Sequence, residues 1–98
     1  MKMGNKHIRI IVNGRVQGVF FRKYTMDFAQ SIAIQGKVRN LKNGDVEIFA
    51  QGTSNQIEKL ITWTYQGSPL SKVENVLVEE LEKDAEYPNQ FYVENGSF

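Results

Sequence analysis

Ile8-Arg9-Ile10-Ile11-Val12-Asn13-Gly14-Arg15-Val16-Gln17-Gly18-Val19-Phe20-Phe21-Arg22, residues 8–22, changes from one backbone period to another within a short stretch. Ile8, Ile10 and Val12 share one face of an extended segment, His7 to Asn13, with His7, Arg9 and Ile11 on the other. That is the two-residue period of a strand. Gly14 and Gly18 interrupt it. From Phe21 the period lengthens, and Phe21, Tyr24, Thr25, Phe28 and Ile32 form one apolar helical stripe. Arg22 falls off that stripe, free to lean back toward the loop. Such a turn can aim several backbone N–H groups at one spot, to which the helix N-terminus and the guanidinium add positive charge. The result is a cradle for a tetrahedral dianion such as a phosphoryl group. The other reading is a plain strand-to-helix turn with a surface arginine, because short motifs match by chance.

Beyond the helix, Gly36 opens a second strand that runs through Leu41. Asn43-Gly44 is a tight-turn dipeptide, and Asp45 to Gln51 forms the partner strand, with Val46, Ile48 and Ala50 on one face. Gly52 is expected to break the hairpin. Thr53 and Gln56 fit a capping box that starts a second helix, with Ile57, Leu60, Ile61 and Thr64 at helical spacing. Gly67 suits its C-terminal end, and Pro69 stops continuation. Lys72 to Leu81 reads as a fourth strand, Glu82 to Asn89 as a polar loop, and Phe91 to Val93 as a short last strand. Residues 1–5 read as a loose end.

The order β-α-β-β-α-β, with one short extra C-terminal strand, predicts an α+β, ferredoxin-like split βαβ fold. Its sheet is mostly antiparallel, with two helices on one face. In this arrangement the first two strands run parallel with the third between them, so both end at the same sheet edge. The loop after the first strand and Asn40, near the end of the second, therefore meet across two inter-strand spacings, about 9.6 Å. Asn40 shares a face with Val38, taken as the helix-covered side. An asparagine near a hairpin commonly completes the turn; one with core-facing parity at the loop's edge has a functional alternative.

The chain's 98 residues bound one domain, read as residues 1–98, that buries roughly 60–65% of its unfolded surface. A site must then lie in a loop or shallow cleft. Hydrophobic content of 41% with 11% aromatics argues against disorder. Twelve basic against 11 acidic residues leave a net charge of +1, little general attraction for nucleic acid or membranes. Residues 6–23 are nevertheless more basic than residues 74–94. There is no cysteine and only one histidine, so no disulfide, thiol chemistry or transition-metal site is expected. No signal-peptide pattern or long apolar run is visible, and the expectation is a cytoplasmic protein.

Two long motifs carry a resemblance. Gly14-Arg15-Val16-Gln17-Gly18-Val19-Phe20-Phe21-Arg22 resembles the first signature of the acylphosphatases. Gly36-Lys37-Val38-Arg39-Asn40, Gly44-Asp45-Val46 and Gly52 resemble the second. Trp63, Gly67, Pro69, Ser71-Lys72-Val73 and Phe91-Tyr92-Val93 are similar to the family's later part, so the likeness spans roughly residues 6–94. Lys37 departs from the pattern, which usually has an aromatic residue there; its parity puts it on the open sheet face, where a cost in packing is expected. The ending Glu94-Asn95-Gly96-Ser97-Phe98 is also unusual.

The resemblance implies hydrolysis of acyl phosphates to a carboxylate and inorganic phosphate, without metal or cofactor. It implies Arg22 and Asn40 as the catalytic pair, and Arg15, Val16, Gln17, Gly18 and Val19, together with Arg22, as the phosphate-binding set. The expected partners are a small acyl phosphate and inorganic phosphate as product and inhibitor, with no nucleic acid, no membrane and a monomeric state. His7 lies far from the loop with outward parity, Asp27 is on the exposed side of the first helix, and Gln17 reads as a structural anchor. Phe21 fits the core, Phe20 is open to a role as a binding lip, and Trp63 is expected at the margin of the second helix. The competing class is a binding module: an anion sensor, or a nucleic-acid-binding sheet. For the latter, the outward hairpin positions Lys37, Arg39, Leu41, Glu47 and Phe49 offer one aromatic residue.

Overall fold

The computed structural model describes residues 5–88 and 90–98. The elements are β1 (Asn5–Arg15), α1 (Phe21–Ser31), β2 (Gln35–Asn40), β3 (Val46–Thr53), α2 (Ser54–Gln66), β4 (Lys72–Glu80) and β5 (Tyr92–Ser97). They form one sheet in the order β4-β1-β3-β2-β5. β3 pairs antiparallel with both β1 and β2, so those two are parallel, and β5 adds beside β2 in parallel. This is the ferredoxin-like arrangement expected from the sequence.

The core follows the strand parity. Ile8, Ile10 and Val12 of β1, Val38 of β2 and Val46, Ile48 and Ala50 of β3 are buried together with Phe21 and Ala29 of α1 and Ile57 and Leu60 of α2. α2 starts with the expected capping box: Thr53 Oγ1 accepts from the Gln56 backbone N–H, and Gln56 Oε1 accepts from the Thr53 N–H. Trp63 sits at the margin, as expected, stacked on Phe28 at 5.6 Å and tilted against Phe21 at 5.5 Å.

Several boundaries differ from the sequence reading. Asn5 opens β1 instead of belonging to a loose end; residues 1–4, and Asn89 in the polar loop, lie outside the described residues. β1 runs on to Arg15 through an irregularity at Asn13/Gly14. Gly52 does not break β3: it pairs with Lys6, and its bare Cα leaves room for the Gln56 capping side chain, whose Oε1 would lie 2.6 Å from a Cβ. In α1 the buried line is Phe21, Thr25, Ala29, whereas Tyr24 is 43% exposed. A strict four-residue spacing turns a small side chain to the sheet and leaves the tyrosine hydroxyl in water.

The open sheet face is filled by charge. Glu47, only 3% exposed, receives Arg9 Nε on one carboxylate oxygen and Arg39 Nε on the other, each at 2.6 Å. Arg39 stands directly opposite Glu47 in the ladder. Arg39 also reaches Glu94, and its guanidinium lies 4.4 Å from the Phe98 ring centre. Lys37 pairs with Glu94 at 3.2 Å and rides over Phe49, so the basic side chain is packed where an aromatic one was missing. These contacts extend β5 to Ser97, well past the expected end at Val93. His7 is buried beneath the 81–88 segment: Nδ1–H donates to the Lys83 carbonyl and Nε2 accepts from the Tyr87 hydroxyl, both at 2.6 Å.

Burial works against the charged form of Glu94, but hydrogen bonding and charge from Lys37, then Arg39, outweigh it and hold the carboxyl below its ordinary 4.5. A folded-state pKa below the unfolded one stabilises above the unfolded value and is lost as pH falls through the folded value. Glu94→Gln should therefore melt below the parent at neutral pH, with the gap closing as pH drops under 4.5. Thermal melts across a pH series check this.

Candidate active site

The segment between β1 and α1 is held by two apolar pegs. Val16 and Val19 are buried, while Gly18 and Phe20 between and after them are exposed. Gly14, at φ 134°, could carry no side chain, because a Cβ would lie 2.2 Å from the Lys72 carbonyl oxygen. Gly18 has φ 75° and open space where its Cβ would be, so the loop backbone is bare on that side. Ser68 Oγ donates to the Val19 carbonyl at 2.8 Å. On the other side Gln17 Nε2 donates to the carbonyls of Leu41 and Asp45, both at 2.8 Å. The loop is thus tied directly to the β2–β3 turn, one residue beyond Asn40.

α1 leaves the loop without a side-chain cap. Phe20 takes the cap position in a left-handed conformation, φ 61° and ψ 21°, and the first turn contains no acidic residue. The unsatisfied N–H groups and the positive end of the helix dipole therefore face outward unneutralised. Arg22, in that first turn, lines a cavity of about 290 Å³ with Val16, Gly18, Phe20, Phe21, Lys23 and Val93. Among the described residues its guanidinium has no carboxylate within 4 Å, whereas Lys23 is engaged by Asp27 at 2.9 Å and Arg9 and Arg39 by Glu47.

Asn40 ends β2, opposite Val46 of β3 and Ser97 of β5. Its backbone carbonyl accepts from the Phe98 N–H at 2.9 Å. Its Oδ1 is buried and is the one buried side-chain polar atom among the described residues without a hydrogen-bond partner. An unsatisfied acceptor of this kind costs about 1–3 kcal/mol. The turn does not use it: Asn43 Oδ1 accepts from the Asp45 N–H, and Leu41 and Gly44 supply the backbone bonds.

The sheet order sets β1 and β2 two spacings apart, with both C-terminal ends at one edge. Val16, Gly18 and Arg22 line one cavity, and its wall residue Val93 pairs with Val38, two positions before Asn40. Arg15 is different: it ends β1 opposite Lys72 and is exposed. The Gln17 side chain is spent on two carbonyls and the Val19 side chain on the core, which leaves these positions their backbone amides to offer. Sequence reasoning missed Ser68 and placed Val93 only in the last strand; the folded chain alone brings them to the loop and its cavity. His7 is on the opposite sheet face, and Asp27 is exposed and paired with Lys23. Among the described residues no cluster of three or more His, Cys, Asp or Glu could hold a metal ion, and no helix is long and apolar enough to cross a membrane.

These features define a small ferredoxin-like domain with an uncapped helix, an open arginine and an orphaned amide at one sheet edge. Residues 8–93 match the model of the Acylphosphatase family. A stretch of 75 residues is 44% identical to an acylphosphatase of Rubrobacter xylanophilus, covering 76% of this chain and 68% of the relative. An acylphosphatase structure from Coxiella burnetii superposes with a TM-score of 0.86 at 36% identity, over 96% of this chain and 100% of that one. The acylphosphatase of Bacillus subtilis gives the same score and identity over 91% of this chain and 98% of its own. The chain belongs to the acylphosphatase family.

Gln17→Ala removes both bonds between the loop and the β2–β3 turn. It should cost about 1–2 kcal/mol in urea unfolding, from two bonds of ordinary net worth, and weaken inhibition by inorganic phosphate.

Proposed function

We propose that acyl phosphate hydrolysis by this chain is carried by Arg22, Asn40 and the backbone amides of Arg15, Val16, Gln17, Gly18 and Val19. The orphaned, buried Oδ1 of Asn40 is the observation that carries this reading, because it is an acceptor that no donor among the described residues uses.

The departing carboxylate is a weak base, so no general acid is required. The enzyme must hold the phosphoryl group, spread its developing charge and place a water in line. Arg22 suits the first two tasks through a planar, permanently charged fork that no carboxylate among the described residues occupies. The loop amides and the uncapped α1 N-terminus add fixed donors. The Asn40 side-chain amide, through its carbonyl oxygen or its NH₂, orients the attacking water and aims its oxygen at phosphorus. The new P–O bond forms as the bond to the carboxylate oxygen breaks, and the carboxylate leaves with the electron pair. An amide is too weak a base to take the water's proton, which passes to a phosphoryl oxygen. The products are carboxylate and inorganic phosphate, and the phosphate, held by the same groups, inhibits.

The proposal extends to a monomeric, cytoplasmic enzyme that works on small acyl phosphates without nucleic acid or membrane. Against base stacking on the open sheet face, Phe49 lies beneath Lys37 and Arg39, and the outward charges are paired with one another.

The test is hydrolysis of benzoyl phosphate in EDTA, with phosphate as inhibitor. Arg22→Ala should lose phosphate affinity and turnover together. Asn40→Ala should keep phosphate binding while the rate falls on the order of 10²–10³ fold, as for loss of one transition-state donor. Near-normal turnover in Asn40→Ala contradicts its role. A folded parent that binds phosphate but turns nothing over is an anion sensor instead.

A further inference from the structure

We propose that Phe20 forms the acyl side of this site: its ring receives the organic part of the substrate and selects flat, apolar acyl groups over acetyl. The inference rests on the phosphoryl-binding reading above and goes on to name the substrate class.

Phe20 breaks three local rules at once. It is a large apolar side chain left 70% exposed. It holds φ 61°, a left-handed conformation that a residue with a Cβ adopts at an energetic cost and that glycine or asparagine would take more easily. It also occupies the N-cap of α1, where Ser, Thr, Asp, Asn or Gly would serve better, and it makes no side-chain cap bond. No other ring among the described residues packs against it in return, whereas Phe21, Phe28 and Trp63 pack together. Strain that stability does not explain, next to a site, points to a job for the side chain.

The job follows from the direction of attack. Water, phosphorus and the leaving oxygen lie in line, so the departing carboxylate points away from the attacking water. Asn40 Oδ1 is buried; the far side of the phosphoryl group is the open rim of the loop. Phe20 stands at that rim, and with Val93 it gives the cavity shared with Arg22 an apolar wall. Lys23, the other charge in the cavity lining, is engaged with Asp27. An acetyl group is too short to cover much of such a wall, whereas a benzoyl ring can lie against Phe20 in a tilted or offset stack.

The experiment compares kcat/KM for benzoyl and acetyl phosphate in the parent, Phe20→Gly, Phe20→Ala and Phe20→Tyr, with the inhibition constant of inorganic phosphate and a thermal melt for each. In Phe20→Gly and Phe20→Ala the benzoyl-over-acetyl ratio should fall roughly three- to tenfold, the worth of one aromatic contact, mostly through KM. Phe20→Tyr should keep the ratio. Phe20→Gly should melt at or above the parent because the strained position is relieved, which separates lost contact from lost folding. An unchanged ratio in variants that still hydrolyse both substrates overturns the inference and leaves the Arg22–Asn40 reading intact. No hydrolysis by the parent overturns both.

Discussion

Pairing of β3 with both β1 and β2 forces those two strands to run parallel, and the rest of the site depends on that constraint. The loop leaving β1 and the last residue of β2 then share one edge of the sheet, two spacings apart. Val46, Ile48 and Ala50 of the inserted strand are buried beneath the helices, so a slip of one residue would turn that apolar row to the open face and Glu47 into the core. The register that keeps the core dry is the register that holds Asn40 beside the arginine loop. Gln17 adds a direct tie across the gap, bonding to the carbonyls that flank the hairpin turn.

Charge is divided between the two faces. On the open face, Arg9, Arg39, Lys37, Glu47 and Glu94 satisfy one another, and little is left for an outside anion. At the loop edge the pattern reverses: Arg22 has no carboxylate partner among the described residues, α1 has no acidic first turn, and an amide oxygen is left without a donor. α2, by contrast, begins with a complete capping box. The uncapped helix, the unpaired arginine and the orphaned acceptor gather at one edge, and such a gathering of unpaired groups is expected to mark function.

Much of this was legible in the residues. The two-residue period of β1, the helical spacing of α2, the Asn43-Gly44 turn and the parity of Asn40 were all local signals, and they placed loop and amide at one edge. Gln17 was also legible as an anchor, because a long amide inside a tight loop must find a backbone partner. The rest depended on partners far apart in the chain. Ser68 holds Val19 across 49 positions, and Tyr87 meets His7 across 80. The length of β5 escaped for the same reason, since Glu94 is fixed by Lys37 and Arg39 and not by any pattern in its own neighbourhood. Tyr24 misled because an aromatic residue at helical spacing counts as apolar in a period, although its hydroxyl favours the margin.

The most direct measurement is a titration of the isotope-labelled chain with inorganic phosphate, followed by backbone and side-chain NMR shifts. The account predicts that the amides of residues 15–20, the Arg22 guanidinium and the Asn40 side-chain amide move together along one saturable curve. Shifts centred on Arg9, Arg39 and Glu47, with the loop and Asn40 unmoved, would contradict it.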